Sequence, residues 1–250
     1  MNNRRTFLKK TALAGAGALL LPSIAKAAVH ETAETNAAKI KLKQDAVILL
    51  QGDSITDAGR SRQSLEYNKM DQLGSGYPLF IASHLLNVHA EKQLKIYNRG
   101  ISGNKVFQLQ ERWNTDAIDL KPDVISILIG VNDYWHTLDG GYKGTIEVYN
   151  NDLRALLDDT KKRLPNVQLV LGEPFILKGG TAIDESRWLP MFDEYRTALK
   201  KIAADYRAIF VPYQTAFDKA LKVAPASYWA GDGVHPDLPG RQLMAATWLA

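Results

Sequence analysis

Apolar residues along the chain follow two alternating patterns. Short apolar-rich runs at Ala46–Leu50, Lys95–Tyr97, Val124–Ile129, Val167–Leu171 and Ala208–Val211 each stop within two residues of a glycine, asparagine or proline. They read as buried strands. Between them, apolar residues recur at helical spacing. One pattern runs from Pro78 to about Val88, and a second joins Val106, Leu109, Trp113 and Ala117. A third joins Ile146, Tyr149, Leu153, Leu156 and Leu157, a fourth Phe192, Tyr195, Leu199, Ile202 and Tyr206, and a last helix starts after Pro239. Strands alternating with helices imply βαβ crossovers. The expected fold class is therefore α/β, with a central parallel five-stranded sheet covered on both faces. No internal repeat and no second boundary interrupts the pattern, so residues 41–250 are read as one domain. Its last helix is expected to continue past Ala250. Sheets of this kind hold ligands outside the carboxyl ends of their strands.

The first 40 residues do not share this pattern. Asn3 to Lys10 is a charged start, Ala12 to Leu21 is apolar, Pro22 breaks the run, and Ala25-Lys26-Ala27 places small residues at a cleavage spacing. Residues 1–27 read as a secretory signal, and Arg4-Arg5 before Phe7-Leu8-Lys9 resembles the twin-arginine type. An exported protein, periplasmic or secreted, is expected. The apolar stretch is about half of the ~20 residues a membrane span needs, so no membrane anchor is expected. With no cysteine in the chain, lipid attachment at the cut is excluded. Residues 28–40 read as a linker. This leader also explains the charge. The whole chain carries a net charge of +4, but Arg4, Arg5, Lys9, Lys10 and Lys26 belong to the leader, leaving 26 basic against 27 acidic residues. A near-neutral body gives no support for nucleic acid or an anionic membrane as a partner.

Four short segments carry candidate chemistry. Gly52-Asp53-Ser54-Ile55 follows the first strand, Asn98-Arg99-Gly100-Ile101-Ser102-Gly103-Asn104 the second, and Gly130-Val131-Asn132-Asp133 the third. Asp232-Gly233-Val234-His235-Pro236 precedes the last helix. A parallel sheet would bring all four to one rim. Ser54 beside Gly52 is placed to act as a nucleophile once a base takes its proton. His235 can be that base, since its unperturbed pKa of ~6.5 lies near working pH. Asp232, three residues earlier, can fold back onto the ring and fix its tautomer. The backbone N–H groups of Ser54 and Gly103 and the Asn132 amide can donate to an oxyanion, where one donor is worth about 3–4 kcal/mol.

These four blocks, in this order, resemble the SGNH or GDSL hydrolase family, whose four name residues match Ser54, Gly103, Asn132 and His235. The resemblance covers the body from about Asp45 onward. It implies a flavodoxin-like three-layer α/β/α sandwich and ester hydrolysis without a metal or cofactor. A narrower similarity to bacterial acetyl xylan esterases of the SGNH type rests on Gly52 to Arg60, Gly100 to Asn104, Arg112-Trp113, Lys121-Pro122-Asp123 and Gly130 to Trp135. It implies deacetylation of plant polysaccharide fragments, so the expected partner is a small-molecule or oligosaccharide ester, and it leaves a homo-oligomer open. Tyr134, Trp135, Tyr228 and Trp229 are read as loop residues beside the site whose flat faces suit sugar rings. Asp53 and Arg60 are further substrate-binding candidates.

Each assignment has a plainer competitor. Ser54 can cap a helix, Asn132 and Asp133 can form a turn, and His235 can be a surface histidine. Asp53 can hold loop backbone, and Trp135 and Trp229 can be core or subunit contacts. Trp113 is expected in the core by its spacing. His84 and His89 lie five apart, do not share a helix face, and so do not suggest a metal pair. Two other functions compete with the acetyl esterase. One is a lysophospholipase or thioesterase of the same fold, and the other is a non-catalytic periplasmic sugar-binding protein.

Overall fold

The computed structural model describes residues 40–250. The signal and all of the linker up to residue 39 therefore lie outside the described residues. Five strands form one parallel sheet: β1 (Val47–Gly52), β2 (Lys95–Asn98), β3 (Val124–Leu128), β4 (Gln168–Gly172) and β5 (Ile209–Val211), in spatial order β2-β1-β3-β4-β5. The main helices are α1 (Ser54–Asp57), α2 (Tyr77–Val88), α3 (Val106–Glu111), α4 (Val131–Leu138), α5 (Ile146–Arg163), α6 (Met191–Asp205), α7 (Tyr213–Leu221) and α8 (Leu238–Leu249). The chain moves one way along the sheet from β1 to β2 and the other way from β2 to β5. Right-handed crossovers then place α2 on one face and α3, α5 and α6 on the other. Of the last two helices, α8 packs on α2 and α7 packs on α8, which completes three layers.

Burial on both faces explains the continuous apolar strands. Every residue of β3 is buried, and its one polar member, Ser126, accepts a hydrogen bond at 3.0 Å from Nε1 of Trp248 on α8. On the opposite side Trp113 is core, as its spacing predicts, and its Nε1 donates to Thr160 Oγ1 at 2.8 Å. These bonds let polar atoms sit in the interior without a lost partner. The α5 helix starts at Thr145, whose hydroxyl accepts from Val148 N–H, and ends in Lys161-Lys162-Arg163, where cations oppose the helix dipole.

Two expectations change. The pattern from Val106 to Ala117 is not one helix but two short ones, α3 and a turn at Trp113–Asp116, separated at Arg112. The segments after β3 and before Ala230 are not loops. Val131 begins α4 directly after Gly130, and Tyr228 and Trp229 lie in a short helix at Ala226–Trp229. The order reversal between β1 and β3 is the switch point of this topology, where the chain leaves the two strands in opposite directions and opens a crevice.

Candidate active site

Gly52 pairs with Leu128 at the ends of β1 and β3. A Cβ on Gly52 would meet the Leu128 carbonyl at 2.3 Å and Thr56 Oγ1 at 2.4 Å, so this close approach requires glycine. The chain then turns into α1. Asp53 caps it by accepting Ile55 N–H at 3.0 Å, and Ser54 is its first residue. Ser54 therefore emerges at the crevice, half-buried, on a helix start held by its predecessor.

The last block reaches the same point from the far end of the chain. His235 Nε2 lies 2.8 Å from Ser54 Oγ, and His235 Nδ1 lies 2.6 Å from Asp232 Oδ2. The other carboxylate oxygen of Asp232 accepts N–H from Val234 at 2.8 Å and from His235 at 2.7 Å. Burial works against the Asp232 charge, but the hydrogen bonds from the His235 ring and the two N–H groups outweigh it and hold its pKa below the ordinary value. The carboxylate is thus ionised and fixes both the loop and the ring. Asp237 N–H donates to the Trp229 carbonyl at 2.8 Å and leads into α8.

The second block is fastened to the first. Asn98 Nδ2 donates to the carbonyls of Thr56 at 2.6 Å and Leu73 at 2.8 Å, and its Oδ1 accepts Gly100 N–H. Ile101 N–H donates to the Gly52 carbonyl at 3.0 Å. Asp57 accepts from Arg62 and from the Ser102 N–H and hydroxyl. Gly103 follows at φ +81°, in the left-handed region that disfavours a side chain. The Asn104 carbonyl accepts from Asn132 Nδ2 at 3.2 Å. Arg112 clamps the ends of this loop. Its Nε donates to Asn104 Oδ1 at 2.9 Å, its NH1 to the Arg99 carbonyl at 2.8 Å, and Asp116 balances its charge at 2.8 Å. Sequence reasoning missed Arg112 as part of the site frame. Asn104 and Arg112 both stood in the matched segments, but their pairing is a tertiary contact.

The other candidates divide. Trp135 is half-buried, with its ring centroid 6.3 Å from that of His235, so it borders the site. Tyr134 points the other way. It is core, its hydroxyl donates to the Arg187 carbonyl, and its ring meets Trp188, Phe192 and Tyr195. Trp229 is also buried, donating from Nε1 to the Ala224 carbonyl at 3.2 Å. Arg60 is buried and holds the Gly100 carbonyl at 2.8 Å through Nε. The structure thus places Tyr134 and Trp229 in packing, Arg60 in support of the Gly100 loop, and Asp53 in the cap of α1. Asp133 accepts Val106 N–H at 3.1 Å. Burial pushes Asp53 and Asp133 each up to about 7, with the Asp133 charge adding to the effect on Asp53. No group of three or more potential metal ligands occurs among the described residues.

The four blocks that resembled one family in the sequence thus stand on one rim. Comparison with known families gives the same class: the chain belongs to the GDSL-like lipase/acylhydrolase family, which matches residues 50–243. It is a carboxylic ester hydrolase. Among its relatives is an acetylxylan esterase of Geobacillus stearothermophilus, 35% identical over 214 residues, spanning 84% of this chain and 95% of that one. The crystal structure of that esterase superposes with a TM-score of 0.75 over 84% of this chain and 95% of its own. A Parabacteroides merdae protein described as a GDSL-like lipase is 64% identical, covers 84% of this chain and 97% of its own, and superposes with a TM-score of 0.83.

Proposed function

We propose that the chain is an exported acetyl esterase acting on O-acetylated xylan or xylo-oligosaccharides through Ser54, His235 and Asp232. Ser54 Oγ attacks the ester carbonyl carbon as His235 Nε2 takes its proton. The negative charge that develops on the carbonyl oxygen is held by the N–H groups of Ser54 and Gly103 and by Asn132 Nδ2. The intermediate collapses, the sugar oxygen leaves with the proton from Nε2, and Ser54 carries the acetyl group. Water then attacks this acyl-enzyme and gives its proton to His235. Acetate departs as Ser54 regains the proton. Asp232 stays ionised throughout and stabilises the imidazolium.

The observation that carries this reading is the unbroken series Ser54 Oγ–His235 Nε2–Asp232 Oδ2, at 2.8 and 2.6 Å. Support comes from the Geobacillus esterase, for which alanine variants of one serine, one aspartate and one histidine are described as catalytic mutants, the last two three positions apart. Asp232 and His235 have the same spacing. The acetyl xylan assignment is supported by that relative's name and by the half-buried Trp135 beside His235. Export rests on residues 1–27.

The test is acetate release from acetylated xylo-oligosaccharides, acetylated pectin fragments and acetylated amino sugars, with octanoyl and longer esters in parallel. The expected result is highest kcat/KM on the xylo-oligosaccharides and none with Ser54→Ala, whose fold is intact by circular dichroism. Preference for the long-chain esters would replace the acetyl reading with a lysophospholipase or thioesterase one. Retained turnover in Ser54→Ala would remove the nucleophile.

A further inference from the structure

Lys105 directly follows Asn104, the residue whose carbonyl accepts from Asn132. It is 8% exposed, yet its ammonium makes no hydrogen bond or ion pair among the described residues. The buried part is its stem, and the ammonium itself reaches solvent. Two aromatic rings attract it. The ammonium lies 5.0 Å from the Tyr142 ring centroid and 5.9 Å from that of Phe107, and these half-buried rings stack on each other at 5.9 Å and 20°. Asp133 is the nearby carboxylate and feels the Lys105 charge, but one of its oxygens accepts Val106 N–H, the other has no hydrogen-bond partner, and neither forms an ion pair with the ammonium.

The opposite side is α4. Positions 132, 135 and 136 are related as i, i+3 and i+4 and share one helix face. Asn132 on this face meets the Gly103–Asn104 loop, and Trp135 lies against His235, so the face fronts the site. His136 is half-buried on the same face. Its carbonyl accepts Tyr142 N–H at 3.1 Å, and the Lys105 ammonium lies against the ring of the same tyrosine, so Tyr142 joins the two basic residues; burial and then the Lys105 charge push the His136 pKa down. Two basic side chains and two stacked rings therefore stand beside the candidate oxyanion hole, and the one carboxylate near the lysine, Asp133, makes no direct ion pair with it.

We propose that Lys105, His136 and the Phe107–Tyr142 pair form a subsite for a carboxylate carried by the saccharide, so that the enzyme favours acetylated oligosaccharides bearing a uronosyl residue. The proposal rests on the saccharide esterase reading. The carboxylate accepts from the ammonium, and the sugar ring that bears it lies beside the half-buried aromatic pair. A neutral branch offers the ammonium no counter-charge.

The test compares kcat/KM on acetylated xylo-oligosaccharides with and without one glucuronosyl branch, in the wild-type protein and in Lys105→Met. Methionine keeps the apolar stem and removes the charge, and thermal unfolding checks that the variant is folded. One charge-assisted hydrogen bond predicts a preference of about tenfold or more for the branched substrate. That preference shrinks as salt is added and falls to near unity in Lys105→Met. A second arm measures inhibition of 4-nitrophenyl acetate hydrolysis by glucuronate, glucose and acetate at equal ionic strength. Glucuronate is expected to inhibit more strongly than the other two, and only while Lys105 is present. Equal rates on both oligosaccharides, or glucuronate no better than glucose, would overturn the proposal. Acetate as effective as glucuronate would also overturn it, by placing the carboxylate in the acyl pocket. If 4-nitrophenyl acetate is cleaved but neither oligosaccharide is, the saccharide reading fails, and the inhibition arm still decides the subsite.

Discussion

Replacing Asp133 by asparagine should flatten the dependence of stability on pH. Asp133 is 2% exposed, one of its oxygens accepts Val106 N–H, and the other has no partner. Burial pushes its pKa from 3.8 up to about 7, against the opposing pull of the Val106 N–H and the Lys105 charge. The folded protein then keeps a proton that the unfolded chain has lost. Stability from that proton is complete below the unfolded value, declines as pH rises towards 7, and is gone above it. Integrated from about pH 5 to about pH 8, one such group costs about 2.5 kcal/mol. Asparagine keeps the acceptor for Val106 and removes the titration. Any fixed cost of its buried amide cancels when the two pH values are compared. Loss of the Asp133 charge also relieves Asp53, which adds in the same direction. Urea unfolding followed by circular dichroism at the two pH values measures the effect. The wild-type protein should lose about 2.5 kcal/mol more than Asp133→Asn between them. An equal loss in both would mean that Asp133 is already charged in the folded protein at the lower pH, and the burial argument would be wrong.

Three further outcomes follow from the site. Asn132→Ala should lower kcat by about 10²–10³ with little change in KM, because the amide acts where charge develops. A raised KM at constant kcat would assign Asn132 to binding. Arg112→Ala should lower kcat more than it raises KM, since a loop displaced by about 1 Å can cost ~10² in rate. Arg112→Lys should not restore it, because one ammonium cannot reproduce the fork to Asn104 and the Arg99 carbonyl, and full recovery with lysine would reduce the clamp to its charge. Asp232→Asn should cut kcat by up to about 10⁴ through the wrong His235 tautomer, while its remaining carbonyl still accepts the Val234 and His235 N–H groups. Unchanged kcat in steady-state hydrolysis of 4-nitrophenyl acetate would show that His235 needs no anionic partner.

Much of this architecture was legible in the residue pattern. The five strands were marked by apolar runs; parallel pairing buries the central β1, β3 and β4 on both faces and leaves the edge strands β2 and β5 partly covered. Ser54 and His235, 181 positions apart, could be placed on one rim only because the alternation implied a single parallel sheet. Features that depend on side-chain direction were not legible. Tyr134 and Trp135 are neighbours in sequence, yet helical geometry sends one into an aromatic cluster and the other towards His235. The even helical spacing from Val106 to Ala117 hid a break at Arg112, whose side chain turns to hold the Gly103 loop. Arg60 suggested a ligand contact by charge alone, and its buried bond to the Gly100 carbonyl is visible only in three dimensions.

The tether from Trp248 to Ser126 links the seating of the last helix to the placement of the general base. The imidazole enters on the short stretch just before α8, and α8 packs on α2 and donates to β3 through Trp248. Hydrolytic competence therefore requires the final helix to be seated, so a chromogenic ester added during refolding reports the moment of its docking.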